Sequence, residues 1–213
     1  MTQLFAAEAR PSPRNGEVAE TPPDEELFRA RIYGLLARLL AAPPDRPVLA
    51  SLAEIAADNT ELGRAFAALA EAAVAIDPLR IAEEYHDLFI GLTRGELLPY
   101  GSYYLTGFLN EKPLAELRGA LAGLGIARVD DVKEPEDHVA ALCEVMAGLI
   151  DGAYGAPQPL AVQRGFFETH MAPWIGRFFA DLEGAQAAVF YAAVGRLGRR
   201  FIEIERAAFA MDA

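Results

Sequence analysis

The sequence is poor in the residues on which many chemistries depend. It holds one cysteine, Cys143, so neither a disulfide nor a multi-cysteine zinc knuckle can form within the chain. Cys143 sits in an apolar, helix-patterned stretch and reads as a small core residue. Of the three histidines, His86, His138 and His170, no two stand at the His-x-x-x-His spacing of a zinc protease. Glu83 and His86 form one Glu-x-x-His element, whereas a di-iron bundle needs two. Neither a Gly-x-x-x-x-Gly-Lys-Ser/Thr loop nor a Gly-x-Gly-x-x-Gly loop occurs. Gly101-Ser102 lacks the flanking pattern of a nucleophile elbow. No charge-free apolar run reaches the roughly 18 residues of a membrane span; Val139–Ile150 is interrupted by Glu144. The start of the chain has no basic residues followed by an apolar core, so no secretory signal is expected. Positive charge is also scarce: 19 basic residues face 31 acidic ones, a net charge of −12. That balance opposes contact with phosphate backbones and anionic lipid. It favours a basic partner, and it also serves solubility. The cysteine usage suits a reducing compartment, which points to the cytoplasm.

What the chain does have is apolar content, 53% of residues, much of it Ala and Leu, both strong helix formers. Residues 1–23, rich in Pro, Glu and small residues, read as a mobile N-terminal tail, and 24–213 as one helical domain. Phe28, Ile32, Leu35, Leu36 and Leu39 lie on one face of a helix over about 25–42, which Pro43-Pro44 stops. Asp45 caps a second helix. A third spans about 60–75. Asp77-Pro78 opens a fourth, carrying Ile81, Tyr85, Leu88 and Phe89. Residues 91–111, punctuated by glycine and proline and crowded with Tyr100, Tyr103, Tyr104 and Phe108, read as a long ordered connection. Further helices are expected over about 113–124, after Glu134-Pro135, up to about His170, from Pro173, and over about 185–208, the last carrying Phe190, Val194, Leu197, Phe201 and Ile204. The expected fold is all-α, a bundle of about nine or ten helices without strands. Arg199-Arg200-Phe201 has the look of a twin-arginine motif but lies inside the last helix, where it reads as a solvated face.

Glu134-Pro135-Glu136-Asp137-His138 places acids at a helix start, where they complement the dipole. Asp137 and His138 are expected on the first turn, either as ligand contacts or as helix-stabilising residues.

Four segments together resemble a known family. Glu84-Tyr85-His86-Asp87-Leu88-Phe89-Ile90-Gly91 resembles a Tyr-x-x-Leu-Phe-x-Gly signature, and Pro99-Tyr100-Gly101-Ser102-Tyr103-Tyr104 a Pro-aromatic-x-Ser-x-Tyr segment. Glu134 to His138 matches Glu-Pro-x-Asp-His, and His170-Met171-Ala172-Pro173-Trp174 with Phe178 resembles a His-x-x-Pro-Trp-x-x-x-Phe helix pair. These are the motifs, in order, of the TorD, DmsD and NarJ type of redox enzyme maturation chaperones. Leu92 departs from the proline often found after the glycine.

The resemblance implies a chaperone, not an enzyme, with no cofactor of its own. It implies as partner a molybdopterin oxidoreductase precursor, of the dimethyl-sulfoxide or trimethylamine-oxide reductase or formate dehydrogenase type. Its twin-arginine signal peptide would be bound, cofactor insertion assisted and export delayed. Tyr85, Leu88, Phe89, Pro99, Tyr100, Ser102, Tyr104, Glu134, Asp137 and His138 are the expected peptide contacts. Leu88 and Phe89 read equally as core, Tyr104 as a buried tyrosine, and Trp174 and Phe178 as core. Such a peptide needs carboxylates and an apolar groove. Between Glu83 and Asp137, eleven acids face five bases, half the net charge in about a quarter of the chain. A monomer or a domain-swapped dimer is expected. A second reading has the chaperone bind the enzyme body instead. A third is a metal-dependent helical enzyme using His86, Asp87, His138 and Glu144.

Overall fold

Short polar side chains and prolines set where the helices begin. Asp45 Oδ1 accepts from Val48 N at 3.0 Å, Thr60 Oγ1 from Gly63 N at 2.9 Å, and Asp77 Oδ1 from Leu79 N at 2.8 Å. Each satisfies an amide that the first helical turn leaves open. These caps open α2 (Arg46–Ala53), α3 (Glu61–Ala75) and α4 (Pro78–Tyr85), which follow α1 (Asp24–Ala41). The computed structural model describes residues 4–7, 22–129 and 132–211. Most of the expected tail, together with Asp130 and Asp131, lies outside the described residues. The fold is all-α, with ten α-helices, two π-helical turns and one two-stranded sheet among the described residues.

The chain divides into two compact units, residues 1–37 with 100–173, and 38–99 with 174–213; the first division falls within α1.

The first unit contains α5 (Gly101–Thr106), α6 (Lys112–Leu124), α7 (Val139–Asp151) and α8 (Leu160–Phe166), with a π-turn at Phe167–Met171. Ten of the thirteen residues of α7 are buried, including Cys143, so it is the unit's central helix. Burial pushes the Cys143 thiol up, which keeps it protonated and unreactive. Two expectations are corrected here. Residues 4–7 are ordered: β1 (Phe5–Ala7) pairs antiparallel with β2 (Ile126–Arg128), Phe5 opposite Arg128. Phe5 is buried, and Glu144 Oε1 accepts from Leu4 N at 2.8 Å and Phe5 N at 3.0 Å. Within the expected loop 91–111, residues Gly101–Thr106 form a helix.

In the second unit, α9 (Ile175–Glu183) packs along α10 (Phe190–Met211), which also packs on α3 and α4. Trp174 and Phe178 are buried core residues. The expected core stripes hold except at one end of each. In α1, Ile32, Leu36 and Leu39 are buried together with Tyr33 and Leu40, while Phe28 is exposed; in α10, Phe190, Val194, Leu197 and Phe201 are buried together with Ile202 and Phe209, while Ile204 is exposed. The first turn of α10 is capped from α4: Glu84, itself buried, accepts from Val189, Phe190 and Tyr191 amides.

Candidate functional site

The residues singled out in the sequence fall into two groups, one in each unit.

In the first unit, Tyr100 has extended backbone and forms an antiparallel bridge with His138. That pairing sets Asp137 against the start of α5. Its carbonyl accepts from Gly101 N at 2.9 Å and its Oδ2 from Ser102 N at 2.7 Å. Asp137 thus caps α5, thirty-five residues earlier in the chain. His138 is the N-cap of α7, its Nδ1 accepting from Ala140 N at 3.1 Å. An accepting Nδ1 carries no proton, so the neutral ring is protonated on Nε2. This corrects the expected placement on the first helical turn: Glu134 to His138 precede α7, which begins at Val139.

The neighbours complete the junction. Tyr100 stacks edge-on against His138, ring centres 5.2 Å apart, and its hydroxyl donates to Glu134. Glu136 pairs with Arg118 at 2.8 Å and more loosely with Arg128 at 3.8 Å, and Arg128 also donates to the Glu134 carbonyl. Tyr104 is half-buried on α5 beside Tyr103. Ser102 and Asp137 are buried, and Ser102 Oγ and Asp137 Oδ1 are the two buried side-chain atoms without a hydrogen-bond partner among the described residues. An unpaired buried polar atom costs roughly 1–3 kcal/mol, so two together are unusual.

The electrostatics follow from this packing. Burial pushes the His138 imidazole down to about 4, with the Asp137 charge opposing the shift. Burial also works to raise the Glu136 carboxyl, but the Arg118 hydrogen bond and the Arg118 and Arg128 charges hold it below the ordinary range. His138 therefore stays neutral in the fold at pH values where it is protonated in the unfolded chain. A histidine with a depressed folded pKa stabilises the fold above its unfolded pKa of about 6.5, and this is lost as pH falls toward 4. Between pH 7 and pH 5 the loss should reach about 2 kcal/mol from this residue alone. His138→Asn, which keeps a capping acceptor but cannot titrate, should lose correspondingly less over the same interval. Urea unfolding at the two pH values checks this; equal slopes for both proteins exclude the histidine as the source.

In the second unit the expected contacts turn inward. Leu88 is fully buried and offers no surface, which places it in the core. It lies on a π-turn, His86–Ile90, continuing α4. Tyr85 donates to the Ala41 carbonyl at 3.1 Å. Phe89, half-buried, packs edge-on against Tyr85 and Tyr191, with ring centres 5.0 and 5.5 Å away. Pro99 is buried. Gly91, at φ +60, lets the chain double back, so that Leu97 N reaches the Leu88 carbonyl at 2.8 Å. Leu92 is fully exposed.

Sequence reasoning missed Arg118 and Arg128 as the partners of Glu136, and Glu84 and Glu96 as caps before α10. No local signal marks any of them. The residues of the metal-enzyme reading have other employment: His138 caps α7 and Glu144 holds the β1 amides. No group of three or more His, Cys, Asp or Glu among the described residues is placed to hold a metal ion.

The sequence profile of the nitrate reductase delta subunit family matches residues 55–180, more than half of the chain, and the chain belongs to that family. The chaperone protein TorD of Vibrio cholerae O395 is 32% identical over 135 residues, covering 60% of this chain and 61% of that protein. The chaperone protein TorD of Aliivibrio fischeri is 28% identical over 204 residues, covering 83% of this chain and 92% of the relative. The chain thus spans about three fifths of the length of the first curated relatives it matches. A crystal structure described as a redox enzyme maturation protein from Archaeoglobus fulgidus covers 83% of this chain and 94% of its own, at a TM-score of 0.49 and 22% identity. The family resemblance read from the four motifs is borne out by the profile and the relatives. Those relatives are named chaperones, not enzymes. No helix among the described residues is long and apolar enough to cross a membrane.

Proposed function

We propose that the chain is a maturation chaperone for a molybdopterin-containing oxidoreductase, and that it binds the twin-arginine signal peptide of that enzyme's precursor in the cytoplasm. Family membership supports the chaperone part. One observation carries the peptide part. The junction of Tyr100, Ser102, Glu134, Asp137 and His138 gathers two carboxylates, two aromatic rings and two buried oxygens that lack partners. The exposed Glu134 carboxylate, beside the half-buried Tyr100, matches the charge of a guanidinium, and the two orphaned oxygens, which have no surface of their own, would accept from its N–H groups as the junction opens around the peptide. Tyr104 and the exposed Leu105 and Phe108 add aromatic and aliphatic surface on and after α5 for the apolar part of the peptide.

Calorimetric titration of the full chain with synthetic twin-arginine peptides from several molybdoenzymes tests this. Micromolar affinity for one peptide is expected, weakening as sodium chloride rises from about 50 to about 300 mM, because screening weakens charge pairing. Asp137→Asn keeps an acceptor for Ser102 N and removes the charge. It should weaken binding about tenfold or more while the unfolding midpoint changes little. Unchanged affinity in Asp137→Asn sinks the site assignment. If no peptide binds but the signal-less apoenzyme does, recognition lies with the enzyme body.

A further inference from the structure

The last helix carries Gly195-Arg196-Leu197-Gly198-Arg199-Arg200. Its two glycines face α9: a Cβ at Gly195 would lie 2.4 Å from Glu183 N, and one at Gly198 2.2 Å from the Phe179 ring. Bare backbone at both positions draws the helices together. The flanking arginines then reach Glu183 at the end of α9, Arg196 Nε at 3.0 Å and Arg199 Nε at 2.7 Å. Arg200 pairs with Glu203 at 2.8 Å and with Glu61 of α3 at 3.5 Å. Arg64, one turn into α3, opens on the same cleft, which has a volume of about 340 Å³ and lies wholly within the second unit. That is at the lower end of small-molecule sites, roughly 300–1,000 Å³.

The lining of this cleft is rich in arginine. Four guanidinium groups, Arg64, Arg196, Arg199 and Arg200, line it with two carboxylates, Glu61 and Glu183, while Glu203 pairs with Arg199 and Arg200 and Asp58 feels the charge of Arg64 from outside the lining. Among the described residues, Arg64 donates to the Asn59 carbonyl through Nη1 and Arg196 to Glu183 through Nε. This leaves other N–H groups of both guanidiniums to meet a ligand. In a chain of net charge −12, a concave surface lined by twice as many arginines as carboxylates stands out. Arginine presents several donors in a planar fork that matches an oxyanion bidentately, and Glu183 already holds two of these forks in place.

We propose that this cleft binds an oxyanion of the phosphate class, free or as the phosphoryl group of a larger molecule, between Arg64 and the Arg196–Arg200 face of α10. Glu61 is the internal competitor for the ligand through its pairing with Arg200. The site is separate from the peptide junction and does not depend on it.

The test is thermal unfolding and calorimetry of the full chain with inorganic phosphate and pyrophosphate, against sodium chloride at equal ionic strength. Pyrophosphate should raise the unfolding midpoint beyond the chloride control, and bind more tightly than phosphate because it offers more charge. Arg64→Ala and Arg196→Ala should each weaken its Kd about fivefold or more, while Glu61→Gln should tighten it about threefold. The increase with Glu61→Gln separates ligand competition from damage to the fold. A response no greater than that to chloride overturns the proposal, as does one that persists in both arginine variants. Binding of a polyglutamate peptide without any response to pyrophosphate also overturns it, and assigns the cleft to acidic polypeptide instead.

Discussion

Replacing Glu84 by alanine is expected to cost about 3–5 kcal/mol of stability. The carboxylate lies inside the second unit and accepts three backbone amides ahead of and within the first turn of α10: Val189 N at 2.8 Å, Phe190 N at 3.1 Å and Tyr191 N at 2.6 Å. Phe190 and Tyr191 are fully buried, so removing the acceptor strands at least two amides where water cannot replace it. Each stranded donor costs roughly 1–3 kcal/mol. The loss of negative charge at the positive end of a 22-residue helix adds to this. Glu84→Gln keeps one accepting oxygen and should fall between wild type and alanine. Urea unfolding followed by the fluorescence of Trp174, the sole tryptophan and a member of the same unit, reads the effect. A loss below about 1 kcal/mol for Glu84→Ala would show that α10 is held by packing alone.

Glu84 also shows how far composition can mislead about a surface. Read from the sequence, it belongs with the eleven acids between Glu83 and Asp137, a field for arginines. In the fold, Glu84 caps a helix from within, Glu136 is neutralised by Arg118 and Arg128, and Asp137 caps α5. Charge along a sequence is countable, whereas its exposure depends on partners far away in the chain. The count therefore overstated how much of this segment's charge is free to face a partner.

What was legible is what is local. Asp45 and Asp77-Pro78 announce α2 and α4 because a cap and its amide are two or three residues apart. The apolar run of α7 announces a central helix. The start of α5 was hidden because its cap is Asp137, so glycine and proline punctuation alone suggested a loop. The sheet was hidden because each strand has three residues and the partners are some 120 positions apart. The π-turns at His86–Ile90 and Phe167–Met171 leave helical spacing nearly intact, and a pattern search reads through them. Of the candidate site, the motifs singled out Tyr100, Ser102, Asp137 and His138, and the fold brings these four together. They could not indicate that the first task of Asp137 and His138 is to start two helices.

The packing of α10 on α9 provides the second large effect, because here helix propensity and tertiary structure predict opposite signs. Gly195 and Gly198 lie inside a helix, where alanine is favoured over glycine by about 1 kcal/mol. Propensity alone therefore predicts that Gly195→Ala stabilises. The structure predicts the reverse: the added carbon would sit 2.4 Å from Glu183 N, 2.8 Å from Glu183 Cα and 2.9 Å from the Phe179 carbonyl oxygen, all backbone atoms that no rotamer change can move. Relief requires α9 and α10 to separate, which loosens Phe178, Phe179 and Leu182 in the core and draws Glu183 from Arg196 and Arg199. A net loss of about 3 kcal/mol is expected, the upper end of the usual cost of overpacking. Gly34 in α1 is the internal control, since nothing lies within 4 Å of a Cβ there and Gly34→Ala should stabilise by about 0.5–1 kcal/mol. If Gly195→Ala also stabilises, the close approach of the two helices is wrong, and with it the placement of the arginines around Glu183.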